Sequence, residues 1–518
     1  MRLFPGTLLL AFPALPLAAQ YDVVVYGGTA GGVIAAVAAA REGLNVALLE
    51  PGRHLGGMTS GGLGHTDHGK RETIGGYSLE FYQRVGRKYG EPVTWYFEPH
   101  VAELVLNEMI AEAGVKVFRN HRLREQDATI RRRRQLREIF LDNGTSFRAK
   151  IFIDASYEGD LLSRSGISHT VGREPVRQYG ESLAGVRPKD RAHQFDFPVS
   201  GADANGQPLP GVQATPRGEL GAGDRKVQAY NFRLCLTDDP KNQVAHPKPR
   251  GYDPARYQLL SRYLAAFEKH RGRPAVMRDL FIVSPLPNRK TDINNRGPVS
   301  TDHIGGSWDY PAAGYAERAR IWQDHIDYTA GLFYFLANDP AVPQALRREI
   351  SSWGHAADEF GDTGNWPHQL YIREARRMTG DFVMTQRDIQ TDLAKPDPIG
   401  MGSYNSDSHN VQRFLERDGT VQNEGNMEVP VQPYQIPYRV LLPKRAETAN
   451  VLVPVCVSAS HVAYSTLRME PVYMIMGHAA GVAAKMAIES GREVHDIDTK
   501  ALTAKLRSQG AVMEWKKP

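Results

Sequence analysis

Tyr21-Asp22-Val23-Val24-Val25-Tyr26 runs directly into Gly27-Gly28-Thr29-Ala30-Gly31-Gly32. The valine-rich run predicts a buried parallel strand. The alanine-rich stretch 33–42 predicts a helix that Gly43 ends, and residues 45–49 predict the next strand. Together they make one βαβ unit of about 30 residues. The turn reads G-x-T-x-x-G, with Thr29 where the dinucleotide fingerprint has its middle glycine. Gly27 permits the tight turn, and Gly32 lets helix and strand approach closely. The helix start presents unpaired N–H groups and a partial positive charge, which suit a pyrophosphate. Glu50 ends the second strand 18 residues after Gly32, where an acid accepts hydrogen bonds from a ribose. The unit predicts a dinucleotide site.

The chain has 518 residues, enough for two domains. Hydrophobic residues at 41% and charged residues at 23% are ordinary globular values, and a net charge of +5 is mild. The basic run Arg131–Arg134 lies between strand-like segments and reads as a solvated hairpin. It lacks the interleaved aromatics of a nucleic-acid patch, so no nucleic-acid partner is expected. Cys235 and Cys456 form no CxxC, which excludes metal clusters and a redox dithiol motif; two buried thiols are expected. No metal site is expected. Arg2, the apolar stretch 3–17 and Ala18-Ala19-Gln20 read as a signal peptide over residues 1–19, and so as a secreted or periplasmic protein. No stable membrane insertion is expected after cleavage.

Further along, residues 101–113 predict a helix and 115–119 a strand. Residues 136–140 and 145–148 flank the Asp142-Asn143-Gly144 turn as a small antiparallel meander. Residues 151–154 predict another buried strand. The interval from about 175 to 395 is Pro-rich and aromatic, and holds Trp308, Trp322, Trp353 and Trp366. Strand-like 451–457 and the Gly/Ala-rich helix 472–490 then return to the α/β pattern of the N-terminal part. The expected architecture is an α/β fold. A Rossmann-type domain (central parallel sheet plus small meander) is interrupted by a long α+β substrate or cap insertion. The boundaries are 20–175 and 396–491 for the nucleotide domain, 176–395 for the insertion and 492–518 for a tail.

Leu55-Gly56-Gly57-Met58-Thr59-Ser60-Gly61-Gly62-Leu63-Gly64 resembles the loop that leads to the flavin in the glutathione-reductase-like flavoprotein class. Thr59 and Ser60 stand where disulfide reductases of that class carry cysteines. Ile151–Asp160 resembles a second strand-and-turn of the class, and residues 450–491 resemble its C-terminal flavin segment. With Asn288–Asp292, Trp366-Pro367, Tyr371–Met378 and Pro433–Tyr438, the chain resembles the bacterial FAD-dependent oxidoreductase family, some of whose secreted members carry a xanthan lyase label. The resemblance runs from Tyr21 to about Gly491. It implies FAD as cofactor. The residues it implies for FAD are Gly27, Gly28, Thr29, Ala30, Gly31, Gly32, Glu50, Pro51, Gly57, Met58, Thr59, Ser60, Asp154, Ser458, His461, Gly477 and Ala480. The helix containing Gly477 and Ala480 would aim its positive N-terminus at the flavin.

The segments that should converge on the flavin offer Asp67, with His65 and His68, from one end of the chain and His461 and Arg468 from the other. His461 reads either as a general base or as a hydrogen-bonded wall residue. Asp67 reads as a substrate contact or a turn residue, and Arg468 as an anion contact or an ion pair. Arg373, Arg376 and Arg377 fall on a segment with helical spacing. They predict either ion pairing with Glu374 or Asp381, or recognition of a substrate carboxylate. Gly305-Gly306 and Gly400-Met401-Gly402 do not repeat the nucleotide unit, so electrons are expected to pass to an acceptor other than NAD(P). The leading expectation is hydride transfer from a small polar substrate, a sugar or sugar acid, to flavin. The alternative is a carbohydrate lyase or hydrolase with a redox-neutral flavin.

Overall fold

The computed structural model describes residues 19–516. The signal-peptide reading falls, but for Ala19, outside them. The opening unit forms as its sequence dictates: β1 (Ala19–Tyr26), α1 (Ala30–Arg41) and β2 (Val46–Glu50). Helix α2 (Gly76–Lys88), helix α3 (Pro99–Ala113) and β3 (Lys116–Arg119) follow, then β4 (Thr129–Arg132), β5 (Gln135–Phe140) and β6 (Ser146–Asp154). The sheet order is β3-β2-β1-β6-β5-β4, with the late strand Val451–Leu452 added parallel to β6. Strands β3, β2, β1 and β6 are mutually parallel. The doubly wound sheet of a Rossmann-type fold is therefore present, with β4 and β5 as an antiparallel meander.

Alternation along β1 divides the core. Val23 and Val25 face the larger apolar cluster, under α1, α3 and the long helix Glu470–Ser490. Val24 and Tyr26 face a smaller cluster with Leu49, Phe152 and Val451.

Two strand expectations change. The strands expected over 145–148 and 151–154 are one strand, β6, because β1 pairs with it from Phe147 to Asp154, while on its other side β5 pairs with its start and Val451–Leu452 with its end. The strand expected over 451–457 stops at Leu452. Val453 N then bonds Leu441 O and Ser458 N bonds Val440 O.

After β6 the chain builds a five-stranded antiparallel sheet from Leu234–Thr237, Gln243–Val244, Phe281–Leu286, Lys290–Asn295 and Gly354–Ala356. Phe333 of the helix Tyr315–Asn338 stacks on Phe281 of this sheet, ring centres 5.0 Å apart. Leu234 and Ile293 of the sheet, with Phe232 just before it, belong to the same apolar cluster as Val23 and Tyr473, so insertion and parallel sheet share one core. Residues 398–437 form a long antiparallel ribbon through three successive ladders, 398–402 with 434–437, 406–408 with 427–429, and 412–415 with 421–424. The ribbon reaches the insertion through Gln213 and Phe414. The segment Tyr371–Met378 is extended, not helical. Its arginines go to different buried acids: Arg373 to Asp302, Arg376 to Asp160, and Arg377 to Glu174 and Glu374. No helix among the described residues is long and apolar enough to cross a membrane.

Candidate active site

The glycine turn packs as its sequence requires. A Cβ on Gly32 would lie 2.0 Å from Gly27 O, so only glycine allows this approach of helix to strand. Thr29 explains its own presence in the motif. Its Oγ1 donates to Ala155 O at 2.8 Å and accepts from Gly32 N at 3.1 Å, tying the helix start to the turn after β6. Glu50 accepts from Gly28 N at 2.7 Å and Gly52 N at 2.5 Å. Burial pushes its carboxyl up to about 7 against those two amides. Asp154 accepts from Ser156 N, Ser156 Oγ and Leu162 N, which shapes the second turn.

A trough of about 270 Å³ opens here, lined by Gly27, Thr29, Glu50, Pro51, Gly57 and Tyr157 among others. It shares Pro51, Arg122, Ser156, Glu158 and Trp322 with an adjoining cavity of about 330 Å³. Of the first-turn amides of α1, the Thr29 side chain takes only that of Gly32. The helix start, the acid at the end of β2 and this trough together fit a dinucleotide cofactor.

The loop beyond Gly57 is fastened to the far end of the chain. Met58 N donates to Tyr157 Oη at 2.9 Å. Tyr157 Oη and Thr59 Oγ1 both donate to Glu470, each at 2.7 Å. Glu470 is buried at the first turn of the long helix, and burial lifts its carboxyl to about 7. The helix end that the resemblance aims at the flavin thus carries an acid that the sequence reading missed. Ser60 Oγ donates to Leu55 O. Ser458 Oγ donates to Phe382 O and accepts from Gly380 N, and Gly477 lies well inside the helix against Gly31.

A third, polar cavity of about 320 Å³ is lined by His65, Asp67, Arg233, Tyr371, Arg373, Tyr404, Asp407, His409 and Arg468 among others. Residues 57–67 and 368–371 each contribute to both the trough and this cavity. Three of the four catalytic candidates, Asp67, Arg373 and Arg468, meet here. Asp67 Oδ1 accepts from Tyr404 Oη at 3.2 Å. Arg468 donates through Nε and Nη2 to Asp407 O. Arg233 makes a bidentate pair with Asp292, at 2.8 and 2.6 Å. Arg373, 1% exposed, donates Nη1 to Ala229 O, but its Nε and Nη2 have no hydrogen-bond partner. Burial, with Arg468 nearby, lowers its pKa against the pull of Asp302.

His461 is placed apart from this cavity. Its backbone N donates to Glu174 and its Nδ1 lies 2.8 Å from Glu374, which also holds Arg377 and Gln228. His409, which the sequence reading does not single out, lines the cavity instead, with Asp302 against its Nδ1. The Asp418-Gly419 turn between two alternating runs was the available signal for the ribbon that carries His409.

The family profile for FAD dependent oxidoreductases matches residues 22–506. The chain belongs to the FAD dependent oxidoreductase family. FAD is accordingly its cofactor, and the trough between Gly27 and Glu50 is where the family member's residues fit it. No curated protein matches this family member in sequence. Among solved structures it is similar to a geranylgeranyl bacteriochlorophyll reductase-like protein from Thermoplasma acidophilum. That match has 11% identity and TM-score 0.36, and covers 95% of this chain and 83% of that one. It is also similar to the anhydrotetracycline hydroxylase OxyS from Streptomyces rimosus, at 10% identity and TM-score 0.34, covering 94% and 65%. A third match, AlpK, has 13% identity and TM-score 0.27, covers 59% of this chain and spans about half (49%) of AlpK. Likeness this distant transfers no activity to the family member.

Proposed function

We propose that this flavoprotein oxidises a small hydroxy compound bearing a carboxylate, a sugar acid or hydroxy acid, held in the polar cavity. FAD, when bound, supplies the two-electron acceptor for a hydride from the substrate carbon. The observation that carries the reading is Arg373. Its guanidinium lines the cavity, buried, with Nε unpartnered and Nη2 in ion-pair contact with Asp302 at 3.1 Å but making no hydrogen bond. A buried donor left unpaired is costly, and a carboxylate is the ligand that best satisfies a guanidinium fork. Arg468 and Arg233 also line the cavity, and Asp67 and Tyr404 offer hydrogen bonds to hydroxyls. Gly27–Gly32, Glu50, Pro51 and the Gly57–Ser60 loop would hold the cofactor, and Asp67, which follows that loop and lines the polar cavity, supports this reading.

The test is anaerobic bleaching of the purified yellow protein by matched pairs: glucuronate against glucose, gluconate against glucitol, glycerate against glycerol. The acids should reduce the flavin, and bleaching by the neutral partners alone would overturn the reading. Export belongs to the same proposal and rests on the charged-then-apolar N-terminus. Mass spectrometry of the native protein should find a mature end near Gln20, and an intact Met1 in the cytosol would defeat it. An acceptor other than NAD(P) completes the reading. Stoichiometric reduction of NAD(P)+ by the bleached protein would count against it.

A further inference from the structure

His409 stands between two ladders of the 398–437 ribbon, on the wall of the polar cavity, 6% exposed. Its backbone N donates to Gln228 Oε1 at 3.1 Å, which fixes the main chain behind the ring. Its Nδ1 lies 2.6 Å from Asp302 Oδ2, and the other Asp302 oxygen lies 3.1 Å from Arg373 Nη2. The ring of His193 lies alongside, 5.5 Å away and nearly parallel. The Nε2 atom makes no hydrogen bond within the protein, and Asp407 Oδ1 lies 3.8 Å from it.

An ionised carboxylate against Nδ1 selects the tautomer with the proton on Nδ1 and the lone pair on Nε2. Burial alone would raise the Asp302 carboxyl, but Arg373 and the His409 ring bring it down to about 2, so it is ionised. We propose that His409, set by Asp302, takes the substrate's hydroxyl proton. This rests on reading the polar cavity as the substrate site. The O–H proton goes to Nε2, the C–H pair leaves as hydride to FAD, and a C=O bond forms. The substrate loses two electrons, the flavin gains them, and the proton stays on His409.

The surroundings suit the role. Burial and Arg373 lower the imidazole's pKa, and Asp302 and Asp407 oppose them without cancelling the effect. His193 is the other titratable group against the ring. The ring is therefore neutral near pH 7, with its lone pair available.

The test uses the FAD-loaded protein, as wild type, His409→Gln and Asp302→Asn. Histidine-selective ¹⁵N NMR at pH 7.5, assigned with the Gln variant, should show His409 neutral with Nε2 unprotonated. Asp302→Asn should lose that tautomer preference. An Nε2-protonated or charged ring in the wild type overturns the proposal. Anaerobic reduction by glucuronate, gluconate and glycerate is then followed from pH 5 to 9. His409→Gln should slow it by roughly 10²–10⁴-fold and remove the acid limb, with substrate affinity little changed. If His409→Gln fails to retain FAD, Asp302→Asn serves instead, with a comparable slowing. A wild-type rate in these variants overturns the role of His409 and leaves the cavity reading standing. Failure of every acid to bleach the wild type overturns the cavity reading and the role together.

Discussion

A Cβ built on Gly477 would lie 2.1 Å from the carbonyl oxygen of Gly31, so the helix Glu470–Ser490 and α1 meet backbone to backbone. One turn further, a Cβ on Gly481 would lie 2.5 Å from Ala35 O. The first turn of α1 is the end of the trough proposed for the pyrophosphate, so this crossing would hold the cofactor's helix in place. Gly477→Ala should push the helices apart at a cost of about 1–3 kcal/mol, as overpacking does. The expected outcome is a lower melting temperature together with faster FAD release. An unchanged melting temperature and release rate would mean that the helices part without disturbing the turn.

Glu50, proposed to accept from the cofactor's ribose, should make FAD retention depend on pH. Its carboxyl is raised to about 7, so it ionises only near neutrality in the protein without FAD. The ionised form accepts most strongly from ribose hydroxyls. FAD affinity in the wild type should therefore fall as pH drops through about 7. Glu50→Gln should bind FAD roughly tenfold or more weakly, from the loss of a hydrogen bond to a charged group. Its affinity should also be flat with pH over that window. Fluorescence titration of the apoprotein with FAD at pH 5.5, 7 and 8.5 reads both effects, and a pH-independent wild type would refute the first.

Glu470 sets a different pH dependence, that of stability. Its folded carboxyl is raised to about 7, whereas an unfolded glutamate ionises near its ordinary value of 4.5. The sign follows: below about 4.5 both states hold the proton and there is no penalty. The penalty grows between about 4.5 and 7 and is complete above. Glu470→Gln, which keeps an acceptor for Tyr157, should be comparable to wild type at pH 4.5 and more stable at pH 8. Glu470→Ala should be less stable at both, because the hydroxyls of Thr59 and Tyr157 lose their acceptor. Urea unfolding of the apoprotein at the two pH values tests the ordering.

The βαβ unit is legible in the sequence because everything that defines it is local: the valine run, the turn, the helix stop at Gly43 and the acid at Glu50. The polar cavity is legible only in part, because it is assembled from widely separated segments. Asp67 and Arg468 can be chosen from the ends of the nucleotide domain, but His409 comes from the ribbon and its partner Asp302 from the loop that follows the strand Lys290–Asn295. Arg373, Arg376 and Arg377 imitate helical spacing, yet buried acids on different elements hold the segment extended. Strand β6 reads as two because solvent-facing Arg148 and Lys150 interrupt its apolar pattern where its partner changes from β5 to the late strand.

Arg373 is coupled to both proposed roles, and its replacement separates them. Arg373→Ala removes the fork that would hold the substrate carboxylate. KM for the acid substrates should rise roughly 10- to 100-fold, the scale of a lost charge-assisted hydrogen bond in a buried site. The same change takes a positive charge away from His409, and that charge is one of the causes holding the imidazole's pKa down. Its pKa should therefore rise, and the acid limb of flavin reduction should move to higher pH. It also takes from Asp302 the cation that keeps its carboxyl low, so Asp302 becomes easier to protonate and sets the ring less firmly. Arg373→Lys keeps a positive charge and loses the fork. It should retain most of the wild-type acid limb while still showing a raised KM. Steady-state kinetics of the three proteins with one bleaching acid, from pH 5 to 9, read both quantities. A raised KM in both variants with the limb displaced only in Arg373→Ala is the expected pattern. Equal displacement in the lysine variant would show that the guanidinium acts on His409 through packing rather than charge.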